Sequence, residues 1–395
     1  MNRQTILYIH HGKGLGGAPI SLLTLIKALD LTRYRPVVLF LYDSAALKLF
    51  RDEGVEVVGP INLSDFPHTK MYWFRWYHVH HTIKALVQTL ATLFLVAPRL
   101  LSTINPDIIH LNTSSLIAWG IAAHRRHIPV VWHIRESLAA GYFGLRRGII
   151  KKIIAYYATA IVPICKTDGR FWSDTKKTIL YNPVDTNRFT PAINAAPLHQ
   201  AQHYLLFVGG LSHQKGTLLM LEIFDAVKKI VPGVKLVIAG AFSKPQIHGM
   251  QKYSPEKKYA LAAYSLYETL QDNIILTGPT TNIPALMQAA SIVFFPAQVD
   301  HFARPIIEAG CMAKPVIASD FPQLQELIEH GRTGYLIPSN DLSAWISTTT
   351  MLLQDTTKQK QIGAALYDFC STNFAQTQYA HNMQTLYQRL NEGRE

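Results

Sequence analysis

Two carboxylates eight residues apart, Asp300 and Glu308, lie in the stretch FPAQVDHFARPIIEAG, residues 295–310. The stretch opens as the end of an apolar strand, Ser291 to Phe295, and closes as the first turns of a helix. Pro305 suits the first turn, where its missing N–H has no intrahelical partner to lose. A strand-to-helix turn gathers backbone N–H groups and the positive end of a helix at one point, which favours an anion. Asp300 in the loop and Glu308 near the helix start can then hold hydroxyls on either side of a bound phosphate. Carboxylates also favour a helix N-terminus for its own sake, so the local sequence leaves both readings open.

Two glycine-bearing loops have the same strand–loop–helix setting. The first, His10 to Ala18, follows the strand Ile6 to Ile9, and its Gly16 and Gly17 lack the Cβ atoms that would keep a ligand from backbone N–H groups. Its spacing is not G-x-G-x-x-G and no acidic ribose clamp follows clearly, which argues against a nicotinamide cofactor. The second, Gly209 to Gly216, follows the strand His203 to Val208 and carries Lys215, whose ammonium can neutralise a phosphate at a helix start. A surface lysine is the plainer alternative. A third candidate, His133-Ile134-Arg135-Glu136, ends the strand Pro129 to Trp132. Ligands of open α/β sheets gather at the carboxyl ends of strands, which places His133 to donate or accept a proton.

The elements that position these residues alternate strand and helix along most of the 395 residues. Nearly continuous apolar strands separated by helices predict parallel sheets covered on both faces. A second glycine loop after the first strand of a second run predicts two similar Rossmann-like domains facing one cleft. The expected division is residues 1–189, an uncharged linker at 190–202, residues 203–372, and a terminal helix, 373–395, packing back on the first domain. Length favours two domains over one core, and 48% hydrophobic with 16% charged residues argues for a folded chain. Cys165, Cys311 and Cys370 lie far apart, without metal-ligand spacing, as expected in a reducing compartment.

The net charge of +12 falls wholly within residues 1–190, which hold 23 Lys+Arg against 11 Asp+Glu; the remainder holds 15 of each. A basic half suits nucleic acid, an anionic membrane or a polyanionic substrate. Nucleic acid ranks last, because no recognition motif accompanies the charge. Met71 to His81 mixes five aromatics with an arginine and three histidines, and Leu145 to Tyr157 sets paired cations beside an Ile/Tyr face. Both patterns suit a peripheral membrane binder, with internal packing as the alternative. Ala85 to Leu101 is apolar but interrupted by Gln88, Pro98 and Arg99, so it reads as a buried or interfacial helix and not a span. The start of the chain reads as a strand and not as a signal peptide.

Taken in order, these motifs resemble those of the retaining, nucleotide-sugar-dependent glycosyltransferases of family 4 (glycosyl transferases group 1), which have the two-Rossmann GT-B architecture. The strongest part is Asn273 to Asp341, where FARPIIEAGCMAKPVIASD and HGRTGYLIPSND follow the donor-site pattern. Tyr181 to Phe189 resembles the interdomain segment, and Gly16-Gly17-Ala18 and His133 to Glu136 resemble first-domain loops. The resemblance implies Glu308 on the ribose hydroxyls and Asp300, in place of the usual Glu, on the donor sugar. It puts Phe302, Ala303 and Arg304 beside sugar or phosphate, and Gly16, Gly17, Gly209 and Lys215 around the diphosphate. His133, Lys215 and Asp300 become the catalytic set, with Arg135 and Glu136 toward the acceptor. Gly210 stands where the family has an arginine, and Ala303 where glycine is usual.

The function implied is transfer of a hexosyl or N-acetylhexosaminyl group from a nucleotide sugar, a co-substrate, to a glycan or lipid-linked acceptor. No further cofactor is implied, and no D-x-D occurs in the chain, so the expectation is metal-independent chemistry. The expected location is cytoplasmic, peripheral at the inner face of the cell membrane, in envelope or surface polysaccharide biosynthesis. A nucleotide-sugar 2-epimerase and a degenerate, non-catalytic carbohydrate-binding member would share the architecture.

Overall fold

The computed structural model describes residues 3–12, 14–63, 79–138, 140, 142–193, 203–246 and 255–392. They divide into two compact units, Met1–Pro183 with Gln376–Glu395, and Val184–Ala375.

The first unit is built on six parallel strands: β1 (Gln4–His10), β2 (Tyr34–Phe40), β3 (Glu56–Val58), β4 (Ile108–Leu111), β5 (Val130–Ile134) and β6 (Ala160–Pro163). Their order is β3-β2-β1-β4-β5-β6, with Tyr8 opposite His110 and His110 opposite Val131. Alternation along the strands divides the core in two. Leu7, Ile9, Ile109, Val130 and Trp132 pack under helices Ala97–Ile104, Ile117–His124 and Leu145–Tyr157. Ile6, Tyr8, Ile108 and Val131 pack under helices Gly17–Ala28 and Gln376–Glu392, the latter supplying Tyr379, Met383, Leu386 and Tyr387.

The second unit repeats the plan with β7 (His203–Val208), β8 (Val234–Ala239), β9 (Ile274–Gly278), β10 (Ile292–Phe295), β11 (Val316–Ser319) and β12 (Tyr335–Ile337). All neighbours are parallel, in the order β12-β11-β10-β7-β8-β9. Leu205, Phe207, Leu236, Ile292 and Phe294 pack against Met220, Ile223 and Phe224 of helix Thr217–Ile230 and against Trp345 of helix Leu342–Gln354.

Several local expectations change. Residues 178–181, which the sequence pattern reads as a further strand, form none; the chain from Lys176 to Leu180 instead hydrogen-bonds β6 at Ile161 and Pro163. The terminal helix, read from 373, starts at Gln376, because Phe374 and Ala375 leave the preceding helix Thr356–Asn373 to pair with Val184, whose N–H donates to the Phe374 carbonyl at 2.9 Å. That pairing puts the unit boundaries at Pro183/Val184 and Ala375/Gln376, where the sequence reading had 189 and 373. The aromatic segment expected at 71–81 lies outside the described residues up to position 78, as does most of the linker, 194–202.

The apolar stretch read as Ala85 to Leu101 belongs to a longer helical run, Val79–Ala91, a π-turn at Thr92–Val96 and Ala97–Ile104. By length and composition Ile83–Ile104 is enough to cross a membrane. Its residues divide, however: Leu93, Val96, Ala97, Leu100, Leu101 and Ile104 join the core of the first unit, while Ile83, Leu86, Val87, Leu90, Phe94 and Leu95 are exposed. Helix Leu145–Tyr157 also departs from expectation. Arg146 is buried together with Ile150 and Ile154, and the face left outside is Leu145, Ile149, Lys152 and Tyr156.

Candidate active site

In each sheet the strand order reverses direction once, between β1 and β4 and between β7 and β10. Loops diverge beyond the carboxyl ends of strands at such a point and leave room for a ligand. Apart from His133, the candidate site residues lie in the loops and helices that directly follow β1, β5, β7 and β10.

In the second unit the loop after β7 runs from Gly209 to Gly216. Gly210 and Gly216 have φ of 72° and 76°, the left-handed region open to glycine. A Cβ on Gly216 would collide with the Pro296 carbonyl beyond β10, and one on Gly210 with the Ala241 backbone beyond β8. The place of the family's arginine is therefore one where this backbone admits no side chain. Thr217, fully buried, fixes the loop: its hydroxyl donates to the Gly210 carbonyl at 2.6 Å and accepts from the Ser212 N–H at 2.9 Å. A bond from the Gln298 N–H to the Gln214 carbonyl, 3.1 Å, joins this loop to the one after β10.

Lys215 leaves this loop half-buried. Its Nζ donates to His301 Nε2 at 3.4 Å and lies 5.2 Å from the centroid of the Phe295 ring. His301 donates through Nδ1 to the Val299 carbonyl at 2.7 Å, so Nε2 is free to accept. Burial and then the neighbouring lysine push His301 down to about 4, and burial lowers Lys215 as well. Among the described residues no carboxylate pairs with Lys215. An ammonium half-withdrawn from water, beside a neutral imidazole and a ring face, lacks the counter-charge that burial calls for.

The opening pair of carboxylates separates in character. Asp300 is exposed and accepts from Gln323 Nε2 at 3.4 Å. Phe302 and Ala303 are buried, and Ala303 caps helix Arg304–Cys311, with Pro305 in its first turn as its residue type dictates. Glu308 is buried on that helix and ion-paired with Arg304, Nε to Oε1, at 2.6 Å. The sequence placed both residues on the donor without foreseeing that they hold each other.

In the first unit, Gly16 caps helix Gly17–Ala28 and has open space where a Cβ would stand. Arg135 donates through Nε to Asn112 Oδ1 at 2.5 Å and through Nη1 to Asn182 Oδ1 at 2.6 Å, while Asn112 Nδ2 donates to His10 Nδ1 at 3.1 Å. Glu136 Oε1 accepts from the Thr113 hydroxyl at 2.6 Å, the Ser114 N–H at 2.8 Å and the Ser114 hydroxyl. Arg135 and Glu136 thus brace the loop after β4. That loop, Asn112 to Ser115, went unnoticed in the sequence, although an amide and three hydroxyls directly after an apolar strand were its signal. His133 lies inside β5 and not beyond it, fully buried, with Nδ1 3.0 Å from His110 Nε2. Burial holds His133 and His110 well below the usual histidine range, and burial with the charges of His11 and Arg135 brings His10 to about 3.

Two six-stranded parallel sheets of this order, each with helices on both faces, are the paired Rossmann-like domains of the GT-B architecture. Residues 190–368, somewhat under half of the chain, match the family model described as glycosyl transferases group 1. It is 27% identical over 237 residues to the lipopolysaccharide core biosynthesis mannosyltransferase LpsB of Rhizobium meliloti, covering 58% of this chain and 65% of that relative. It is 22% identical over 272 residues to UDP-Gal:alpha-D-GlcNAc-diphosphoundecaprenol alpha-1,3-galactosyltransferase of Escherichia coli, covering 63% of this chain and 67% of the relative. The matches thus span about two thirds of these two proteins. In fold the chain is similar to Anabaena HepE, solved in complex with UDP-glucose, at a TM-score of 0.77 and 19% identity over 98% of this chain and 100% of that one. The architecture, and the family model matched by the second unit, are those the motifs implied.

Proposed function

We propose that this chain is a retaining glycosyltransferase of family 4, moving a hexosyl or N-acetylhexosaminyl group from a nucleotide sugar to a glycan or lipid-linked acceptor. The observation that carries the reading is Lys215, a half-buried cation without a carboxylate partner among the described residues, at the switch point of a glycosyl transferases group 1 domain. A diphosphate supplies the missing charge. In the transfer the bond from the anomeric carbon to the diphosphate oxygen breaks, and a bond to the acceptor oxygen forms on the same face. The acceptor's proton leaves with the diphosphate. Negative charge grows on that leaving group, and Lys215 with the N–H groups following Ala303 stabilises it.

In this reading Glu308 holds the ribose hydroxyls, oriented by Arg304, and Asp300 meets the donor sugar. Phe302 and Ala303 present backbone N–H groups. Gly16, Gly17 and His133 act on the substrates from the first unit, and Arg135 and Glu136 shape the acceptor side through the loop they brace. The absence of D-x-D from the sequence supports metal-independent transfer. UDP-glucose in HepE supports a nucleotide-sugar donor, and the names of the Rhizobium and Escherichia relatives support an envelope glycan and a lipid-linked acceptor. Attachment to the inner face of the membrane is supported by the basic first half and by two exposed apolar faces, on the run ending at Ile104 and on Leu145–Tyr157. Both elements pack against Ile117–His124, and the Arg125 guanidinium just beyond that helix lies 5.5 Å from the centroid of the Phe94 ring.

The test is a ligand-induced thermal shift across UDP-, GDP- and ADP-sugars, followed by turnover with the responding donor in EDTA. The reading requires one donor to raise Tm, and transfer to survive EDTA with retained anomeric configuration. No response to any donor, or epimerised donor without transfer, would remove it.

A further inference from the structure

A buried polar series in the first unit bears on which nitrogen of His133 carries the proton. Tyr8, His110 and His133 stand on β1, β4 and β5, and strand alternation turns all three to the face covered by helix Gln376–Glu392. Tyr387 of that helix stands between the first two. The series runs Tyr8 Oη to Tyr387 Oη at 3.1 Å, Tyr387 Oη to His110 Nδ1 at 2.7 Å, and His110 Nε2 to His133 Nδ1 at 3.0 Å. All four side chains have 0% exposure. His133 Nε2, at the far end, is buried with no partner among the described residues.

With both histidines neutral, each hydrogen bond in the series needs one donor, so only two polarities are self-consistent. In the first, Tyr8 donates to Tyr387, Tyr387 to His110 Nδ1, and His110 Nε2–H to His133 Nδ1. His133 then carries its hydrogen on Nε2. In the second, every bond reverses, His133 offers a bare Nε2, and the Tyr8 O–H becomes a buried donor without an acceptor among the described residues. Two effects favour the first. It places both histidines in the Nε2–H tautomer that imidazole side chains prefer intrinsically. Moreover, once a ligand oxygen meets His133, it leaves no donor unmade, whereas the second strands the Tyr8 hydroxyl as a buried donor without a partner.

We propose that Tyr387, acting through His110, is a positioning residue that holds His133 as the Nε2–H tautomer, so that His133 donates a hydrogen bond to a substrate oxygen and does not serve as a general base. The substrate contact, and with it the second of these effects, rests on the reading of His133 given under Proposed function; the intrinsic tautomer preference does not. A hydroxyl or phosphate oxygen fits this donor, and the residue that fixes it lies more than 250 positions away in the chain.

The experiment uses the full chain labelled with ring-¹⁵N histidine, with His133 assigned through His133→Gln. The ring-nitrogen shifts should report a protonated Nε2 and a bare Nδ1 on His133 in the wild type. Tyr387→Phe, which cuts the series at His110, should redistribute the hydrogen over both nitrogens and lower kcat about tenfold with little change in donor KM. Tyr8→Phe deletes a buried hydroxyl from the same contact but leaves Tyr387 donating to His110, so the His133 tautomer should stay as in the wild type. A hydrogen on Nδ1 of His133 in the wild type overturns the proposal, as does a tautomer indifferent to Tyr387→Phe. A tautomer that responds while kcat does not would leave the relay standing and remove His133 from contact with substrate.

Discussion

Arg304 and Glu308 close an ion pair one helical turn apart, with side-chain exposures of 9% and 11%. Removing one member of a buried pair leaves the other charge uncompensated, which costs about 3–5 kcal/mol, while replacing both with apolar groups of similar volume is nearly neutral. Glu308→Ala should therefore lose stability and donor binding together. The double variant Arg304→Met, Glu308→Leu should recover stability in urea yet show no thermal shift with the donor. If the double variant still binds nucleotide sugar, Glu308 does not hold the ribose.

Lys215 makes the opposite prediction for stability. Lys215→Met removes a cation that burial already disfavours, so its unfolding midpoint should equal or exceed that of the wild type. Its kcat/KM should fall about 100-fold, since a leaving diphosphate then lacks its charged partner. A large loss of stability with normal turnover would mean that the ammonium serves the fold.

Restoring the family's arginine should fail. At Gly210 the left-handed φ and the Ala241 backbone both oppose a side chain, so Gly210→Arg should destabilise by at least about 1–3 kcal/mol without raising activity. A stable and faster Gly210→Arg enzyme would show that the loop rebuilds easily.

Two histidines make stability depend on pH with a definite sign. His10 and His301 ionise in the fold at about 3 and about 4, below the value of 6.5 for an unperturbed histidine. The unfolded chain therefore binds more protons between those values, and stability falls as pH drops below 6.5. Each should remove about 2 kcal/mol between pH 6.5 and 5, at 1.36 kcal/mol per unit. Urea unfolding at pH 7, 6 and 5 measures this. His301→Gln should flatten the second unit's share, and a flat wild-type profile would contradict the buried neutral state.

The exposed faces of the first unit make a prediction about membranes. The chain should float with vesicles containing anionic lipid, and Leu90→Glu with Phe94→Glu should abolish flotation while leaving the circular dichroism unchanged, because both side chains are exposed. Flotation unaffected by the pair would move the contact elsewhere.

The sequence served well where chemistry is local. The glycine loops, Lys215, Pro305 and Glu308 each belong to a single strand–loop–helix segment, and the repeated β-α pattern predicts the sheets that carry them. What it hid depends on residues far apart in the chain. The collision awaiting a side chain at Gly210 comes from Ala241, and the imidazole that accepts from Lys215 belongs to His301, 86 positions along the chain. Helix Leu145–Tyr157 reads as a cationic face until Arg146 turns inward, because the paired cations fall on different sides of a 3.6-residue turn. The series ending at His133 joins four elements, and no spacing in the sequence marks it.

Helix Gln376–Glu392 also sets an order of events during synthesis. Residues 184–375 form a continuous stretch and can fold as soon as they leave the ribosome. The sheet made before them cannot, since the face bearing Ile6, Tyr8 and Ile108 is completed by Met383 and Tyr387. At roughly 5–20 residues per second, that face stays uncovered for on the order of ten seconds or more after β6 emerges. Of the two units, the one whose strands are made first is thus the one completed last, and its apolar sheet face is exposed to misassociation for longer than that of the continuous unit.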